Sequence, residues 1–468
     1  VVCAGSLVGW ASVRGSPWVQ LAVILDGAVL LGVFLHRRRV SIPAGFLFVE
    51  LPILLLVTEV YFGLGGRSAQ DLAQNALNSG AQLKLVLIGV VLVIGGVALA
   101  TGPARAASTG TAFRLFALYV AIAALGATFS VNPSLTAFRA LELAAAVLAV
   151  AGAYRRVGTE AAVRIERLLY ALVLALVVSV WLVLLVSPGQ VLVPAPNSPL
   201  PWELQGVYPA IASNGVGTLG LMLALWSLGR LFGPGPAERM RPLPALLATA
   251  LGVATLVGAQ YRTGYVAFAL SAALLLALRG RKTLALATVV VAVAAAGWGV
   301  SGAVQKSQPF LLRGDSTAQA ATLSGRLFMW RHAIPFWRES PVLGRGLLTA
   351  TRLEVLPSIG LQDTATIHGT WIETLVGTGL AGTVALAASV LVLLFSALTD
   401  ALRPGGRVIP ALLVTALIVR SVTGDSVESL GIGALLLLVF AVGLEGSRRA
   451  VAAPVLPRPR LAPTQARS

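Results

Sequence analysis

One histidine and a few arginines are the residues of this chain whose types and positions could do chemistry. His368 stands in Ile367-His368-Gly369-Thr370-Trp371, just before an apolar run, with Glu373 inside that run. An imidazole there could take a proton near neutral pH. Arg262, in Gln260-Tyr261-Arg262-Thr263-Gly264, lies between two apolar runs separated by almost nothing. A guanidinium at the rim of a helix bundle can grip a phosphate through two parallel hydrogen bonds. The structural alternative is an arginine snorkelling at a helix end. Arg139 and Glu142 share a helix face, so a self-satisfied pair competes with a substrate contact. Arg420, with Asp425 beyond it, stands between a structural pair and a substrate clamp. Asp26, Glu50 and Glu59 lie in or near the first spans and read as structural. Of the remaining histidines, His36 belongs to a basic cluster and His332 to an amphipathic stretch, where it reads as solvated.

The elements that must position these groups are membrane helices. The chain has 468 residues, 57% hydrophobic and 11% charged, with mean hydropathy +0.87. Runs such as Leu83–Ala100, Ala171–Val186, Thr283–Trp298 and Leu430–Leu444 carry almost no charge at bilayer-spanning length. The fold class is therefore all-α, a polytopic helical membrane protein with about 12 to 14 transmembrane helices. Spans fall near 17–35, 41–60, 82–100, 112–129, 135–153, 166–186, 208–229, 243–259, 263–279, 283–300, 373–398, 408–423 and 429–445. The organisation reads as N-terminal transmembrane helices (1–300), a long loop (301–372), C-terminal transmembrane helices (373–445) and a disordered cytoplasmic tail (446–468). The N-terminus lacks the basic stretch of a signal peptide, so no cleaved leader is read.

The net charge of +17 is spread over short clusters between spans, such as Arg37-Arg38-Arg39 and Arg279-Arg281-Lys282. That pattern marks topology and contacts with anionic lipid head groups, not nucleic acid. The basic clusters fall in every second connection, which places those connections in the cytoplasm. The alternate connections, including Ser130–Ser134, Ser187–Tyr208, Gln260–Arg262, Ser301–Thr370 and Thr423–Ser429, then face out. Ser301–Thr370 also carries Lys306, Arg313, Arg326, Arg331, Arg338, Arg345 and Arg352. Cations on that side do not serve orientation, so an anionic substrate is the natural reason for them.

Within the long loop, Leu327, Trp330, Ile334 and Trp337 recur at helical spacing, predicting an amphipathic helix at the outer interface. Pro341 and Gly344-Arg345-Gly346 end it in a turn. The proline-rich Ser187–Tyr208 connection reads as an extended, stiff cap. The single cysteine, Cys3, excludes an internal disulfide framework. No Asp-x-Asp pair and no histidine–carboxylate cluster stands out, so neither metal nor cofactor is expected.

The segment His368-Gly369-Thr370-Trp371-Ile372-Glu373-Thr374-Leu375, followed by Gly379-Leu380-Ala381-Gly382, resembles the signature of the O-antigen ligase/polymerase superfamily. Gly325-Arg326-x-x-x-Trp330, Pro341-Val-Leu-Gly344-Arg-Gly346, Ser130-Val-Asn-Pro-Ser134, Arg262-Thr-Gly264 and Asn214 fall in the family's order over about residues 125–445. Gly369 replaces the family's asparagine, and Trp202–Tyr208 lacks the arginine often found near that step. The missing phosphate contact would fall to Arg139, Arg326 or Arg420.

The resemblance implies a metal-independent, inverting glycosyltransferase of the GT-C type in the bacterial cytoplasmic membrane. Its donor would be a glycan on polyprenyl diphosphate, and its acceptor a hydroxyl on a lipid or another glycan at the outer face. His368 and Arg262 would be catalytic. Arg326, Arg139, Arg420, Asn214 and Glu373 would bind diphosphate or glycan. A repeat-unit polymerase of the same superfamily is the near alternative. A lipid-linked glycan flippase or transporter is the distant one, and it would place charges deep in several spans and break helices in related halves.

Overall fold

The computed structural model describes residues 45–62, 79–103, 109–195, 200–233, 240–290, 325–361 and 366–452. The span expected at 17–35, Asp26, His36, Lys306, Arg313 and the tail from 453 lie outside the described residues. In chain order the helices are α1 (Leu51–Tyr61), α2 (Ser79–Thr101), α3 (Thr111–Gly126), α4 (Pro133–Val157), α5 (Glu160–Val186) and α6 (Ser213–Phe232). They continue as α7 (Pro242–Gly258), α8 (Arg262–Leu278), α9 (Arg326–Glu339), α10 (Thr370–Ala401), α11 (Ile409–Thr423) and α12 (Ile432–Ala452). Six of these are long and apolar enough to cross a membrane, namely α2, α3, α4, α5, α6 and α10. Four shorter apolar helices, α7, α8, α11 and the apolar part of α12, pack among them. The chain is a polytopic helical membrane protein, and among the described residues its helices fall on the expected spans, that at 283–300 being described only to residue 290.

Small residues set the tightest helix crossings. A Cβ on Gly95 would lie 2.9 Å from the Leu148 backbone, and one on Gly152 would lie 2.7 Å from the Gly95 carbonyl oxygen, so α2 and α4 meet backbone to backbone. Gly220 and Gly252 do the same for α6 and α7. Without a hydrophobic drive between helices in lipid, such close approach supplies the dispersion contacts that hold them. From Ile432 to Leu444 α12 is apolar around its whole circumference, and Leu435, Leu436 and Leu438 are fully buried. It is the central post of the bundle, as all-round hydrophobicity requires.

Charges near the membrane are paired. Arg164 donates to both Glu50 carboxylate oxygens at 2.7 Å, and Arg407 pairs with Glu166 on the face that the charge pattern assigns to the cytoplasm. Lys84 meets Glu59 at 2.8 Å. Arg139 reaches both oxygens of Glu142 at 2.9 and 3.1 Å, so the self-satisfied pair is the arrangement formed.

Three sequence motifs meet in one joint. α10 breaks at Gly379, whose φ of 64° only glycine adopts readily. The break frees backbone groups that the Pro341–Gly346 segment takes up. Arg345 and Gly346 N–H donate to the Val376 and Gly377 carbonyls at 2.9 Å, while Leu380 and Ala381 N–H donate to Pro341 and Val342. Val131 N–H donates to the Arg345 carbonyl, and Thr136 donates to Thr349 at 2.8 Å. Asn132 caps α4 by accepting from Leu135 N–H at 3.1 Å. Arg345 is itself spent on Glu354 and Glu339.

Two expectations change. The Ser187–Tyr208 connection is not simply extended: Leu192–Pro194 pairs antiparallel with Trp202–Leu204, and Gly206–Val207 with Ala210–Ile211. This turn chemistry delays α6 until Ser213, past the expected start at 208. α12 likewise runs beyond the 445 boundary to Ala452, through Gly446, so residues 446–452, expected in the disordered tail, are helical; the first proline stands at 454.

Candidate functional site

His368 occupies the turn that launches α10. Its φ of 52° is left-handed, a conformation uncommon outside glycine and tolerated by histidine better than by branched residues. Gln260, two residues before Arg262, has φ 50°. Two of the three non-glycine residues with positive φ among the described residues therefore flank or form the two leading candidates. The Trp330 indole N–H donates to the Ile367 carbonyl at 3.1 Å, which lays α9 across the His368 turn. A Cβ at Gly369 would come within 3.0 Å of that indole. Trp330 thus takes up the space that a side chain at 369 would use, and this gives the Gly369 departure a packing reason.

One short loop joins the turns. Thr423, the last residue of α11, pairs its hydroxyl with that of Thr263 at 2.7 Å, one residue from Arg262. The next residue, Gly424, accepts from Thr370 N–H at 3.3 Å and Thr370 Oγ1 at 3.0 Å, two residues from His368. The N-termini of α8 and α10 are therefore held by consecutive residues. The following residue, Asp425, accepts from Thr366 Oγ1 at 2.7 Å through Oδ2, and Thr366 Oγ1 lies 3.3 Å from His368 Nδ1. Oδ1 of Asp425 is buried without a partner.

The electrostatics of the cleft follow from this packing. Burial pushes the His368 pKa down, nearby Asp425 opposes that shift, and Arg326 adds to it, with a net lowering. Burial also lowers Arg326; Tyr261 and Asp425 oppose that, and neighbouring Arg262 reinforces it. Two guanidinium groups in mutual range, at two helix N-termini whose N–H groups carry partial positive charge, leave the cleft receptive to an anion.

The other expected residues are placed differently. Arg420 lies one turn below Thr423, its Nε buried without a partner. Arg139 is committed to Glu142. Asn214 is exposed at the start of α6, one turn before Gly217, which packs on Tyr261. Glu373 is fully buried and accepts from Thr351, with Oε2 unpaired. α9 forms at Arg326–Glu339, but Met329 and Ala333, between the expected stripe positions, are its buried residues. Among the described residues, no three His, Cys, Asp or Glu side chains group as metal ligands.

Sequence reading missed the Thr423–Glu428 loop as a unit. Glu428 is fully buried; its Oε2 accepts from Thr370 Oγ1 at 2.6 Å and from Ser426 and Val427 N–H at 2.9 Å. The only signal was a polar run, Thr-Gly-Asp-Ser-Val-Glu, between two apolar helices.

The fold is that of a multi-pass helical membrane protein, and it brings Arg326 within electrostatic range of both His368 and Arg262. Residues 247–387 match the family model described as O-antigen ligase. That segment includes Arg262, Arg326, His368 and Glu373, and it supports a membrane glycan ligase or polymerase type of function. No curated protein matches the chain.

Proposed function

We propose that the chain is a glycosyltransferase moving a glycan from polyprenyl diphosphate to an acceptor hydroxyl at the extracytoplasmic face of the bacterial cytoplasmic membrane. The observation that carries this reading is the convergence of His368 and Arg262 on consecutive residues of one loop, with Asp425 and Arg326 beside them. The alternation of basic clusters supports an outer-side position for this site, where lipid-linked glycans are presented and nucleotide sugars are not expected.

The hydrogen-bond order assigns the imidazole tautomer. Thr366 has one hydroxyl proton, and it is donated to Asp425. Toward His368 Nδ1, the Thr366 oxygen can therefore only accept, so Nδ1 carries the proton and Nε2 keeps its lone pair. Nε2 takes the acceptor's O–H proton as the acceptor oxygen bonds to the anomeric carbon. The bond from that carbon to the diphosphate oxygen breaks on the opposite side, which inverts the anomeric configuration. The leaving diphosphate gains charge, and Arg262 and Arg326 stabilise it in place. Burial keeps His368 neutral at physiological pH, as a general base must be.

Cells lacking the gene, complemented with the intact chain, Arg262→Ala or His368→Ala, test the reading. Normally inserted variants should accumulate polyprenyl-diphosphate-linked glycan and lose surface glycan. Long accumulated chains mark a ligase and single repeat units a polymerase. Variants that behave like the intact chain would reject catalysis and favour a flippase.

A further inference from the structure

The loop between α11 and α12 does more than supply Asp425. Its residues tie it, bond by bond, to each half of the proposed reaction. Thr423 holds the turn of Arg262, Gly424 and Glu428 hold Thr370 behind His368, and Asp425 holds Thr366 in front of it. Glu428 is the internal lock. One carboxylate oxygen gathers the Thr370 hydroxyl and two backbone N–H groups of its own loop, and its backbone carbonyl accepts from Tyr119 at 2.8 Å, anchoring it to α3. Breaking the Thr370–Glu428 link loosens the Asp425 loop against the His368 turn, leaving the Thr366–Asp425 and Thr370 N–H to Gly424 bonds as its ties, without removing any group proposed to touch substrate.

We infer that Glu428 and Thr370 are positioning residues that fix the distance between the diphosphate-binding arginines and the Asp425–Thr366–His368 base. This rests on the catalytic reading above and deepens it. The buried position of Glu428 explains why an acid serves. Burial pushes the Glu428 pKa up to about 7 and neighbouring Asp425 adds to that shift, while the hydrogen bonds from the Thr370 hydroxyl and the loop N–H groups oppose it. Near neutrality it holds a proton a large part of the time, so glutamine should accept the same three bonds with little change. The groups facing His368 are Asp425 and Arg326, so loosening the loop alters the balance between them.

The test uses the purified full-length chain in liposomes, with polyprenyl-diphosphate-linked glycan extracted from cells lacking the gene. Release of polyprenyl diphosphate is followed against pH. Thr370→Val and Glu428→Ala should lower kcat by about 10- to 100-fold, the loss typical of an ångström-scale misplacement. KM for the donor should stay within about twofold, because the arginines remain. The acidic limb of the pH profile should move down, since Asp425 no longer supports the imidazolium. Thr370→Ser and Glu428→Gln should recover both rate and limb. If His368→Ala abolishes release while Thr370→Val and Glu428→Ala keep the intact rate and limb, the positioning role is wrong and the catalytic reading stands. If His368→Ala releases normally, the catalytic reading itself fails. Should Glu428→Ala not fold, the Val and Ser variants of Thr370 decide alone: equal rates for the two overturn the inference.

Discussion

Asp425→Asn is the sharpest single perturbation of the proposed base. In the intact chain the Thr366 hydroxyl donates to the Asp425 carboxylate at 2.7 Å, leaving its oxygen to receive His368 Nδ1–H. An asparagine presenting its amide nitrogen to Thr366 would reverse that bond. Thr366 would then donate to His368, Nδ1 would become the acceptor, and the proton would sit on Nε2, the nitrogen that must be free. A hydrogen bond to a charged group contributes about 1.5–3 kcal/mol. If the whole of it selects the tautomer, the rate falls by about 10- to 100-fold at roughly 1.4 kcal/mol per decade. The pH profile has a fixed sign. Burial lowers the His368 pKa and Asp425 opposes that lowering, so the base is active above its pKa and the acidic limb lies below the ordinary histidine value. Removing the carboxylate moves that limb further down while the plateau drops. Steady-state release of polyprenyl diphosphate between about pH 4.5 and 8, the range that brackets histidine titration, measures both. A variant within twofold of the intact rate with an unmoved limb would refute the Asp425–Thr366–His368 chain.

Three further outcomes are expected. Arg326→Ala should lower kcat/KM by about 10²- to 10³-fold, and the double variant with Arg262→Ala should lose less than the product of the two, because both act on one leaving group; strict additivity would place them on separate ligands. Arg139→Ala strands a buried Glu142, so a loss of roughly 3–5 kcal/mol is expected in folded stability by thermal unfolding, with turnover per folded molecule kept within about threefold. Unchanged stability with lost turnover would return Arg139 to the substrate site. Gly379→Ala forces a Cβ into the Val342 carbonyl at a left-handed position, at a cost of at least about 1–3 kcal/mol, seen as a lower thermal transition and a lower folded yield.

Much of the architecture was legible because membrane helices announce themselves by length and hydropathy. Glu50 and Glu59 could be read as structural from the cost of an unpaired intramembrane charge, and each has its ion-pair partner, whereas Arg139, expected among the substrate contacts, is committed to Glu142. The motifs were visible, but what they do was not. Ser130–Ser134, Pro341–Gly346 and Gly379–Gly382 read as separate signals in the sequence, and only their non-local contacts, the Val131–Arg345 and Thr136–Thr349 bonds and those between Pro341–Gly346 and the α10 break, show them to be one joint around a broken helix. Separation along the chain also hid the site's centre. Asp425 and Glu428 look like ordinary loop acids until Thr366 and Thr370, some sixty residues earlier, are brought against them. The connection at 187–208 was misread for a local reason: proline counts suggest extension but do not reveal which residues on either side pair across the turn.

The decisive measurement is acceptor-dependent release of polyprenyl diphosphate by the intact chain, His368→Ala and Arg262→Ala, with the anomeric configuration of the new linkage determined by NMR. The proposed mechanism requires release by the intact chain with inversion, and a fall of at least about 10²-fold in each variant, the scale of a lost general base or charge-stabilising donor. Retention of configuration, or undiminished release by His368→Ala, would contradict it.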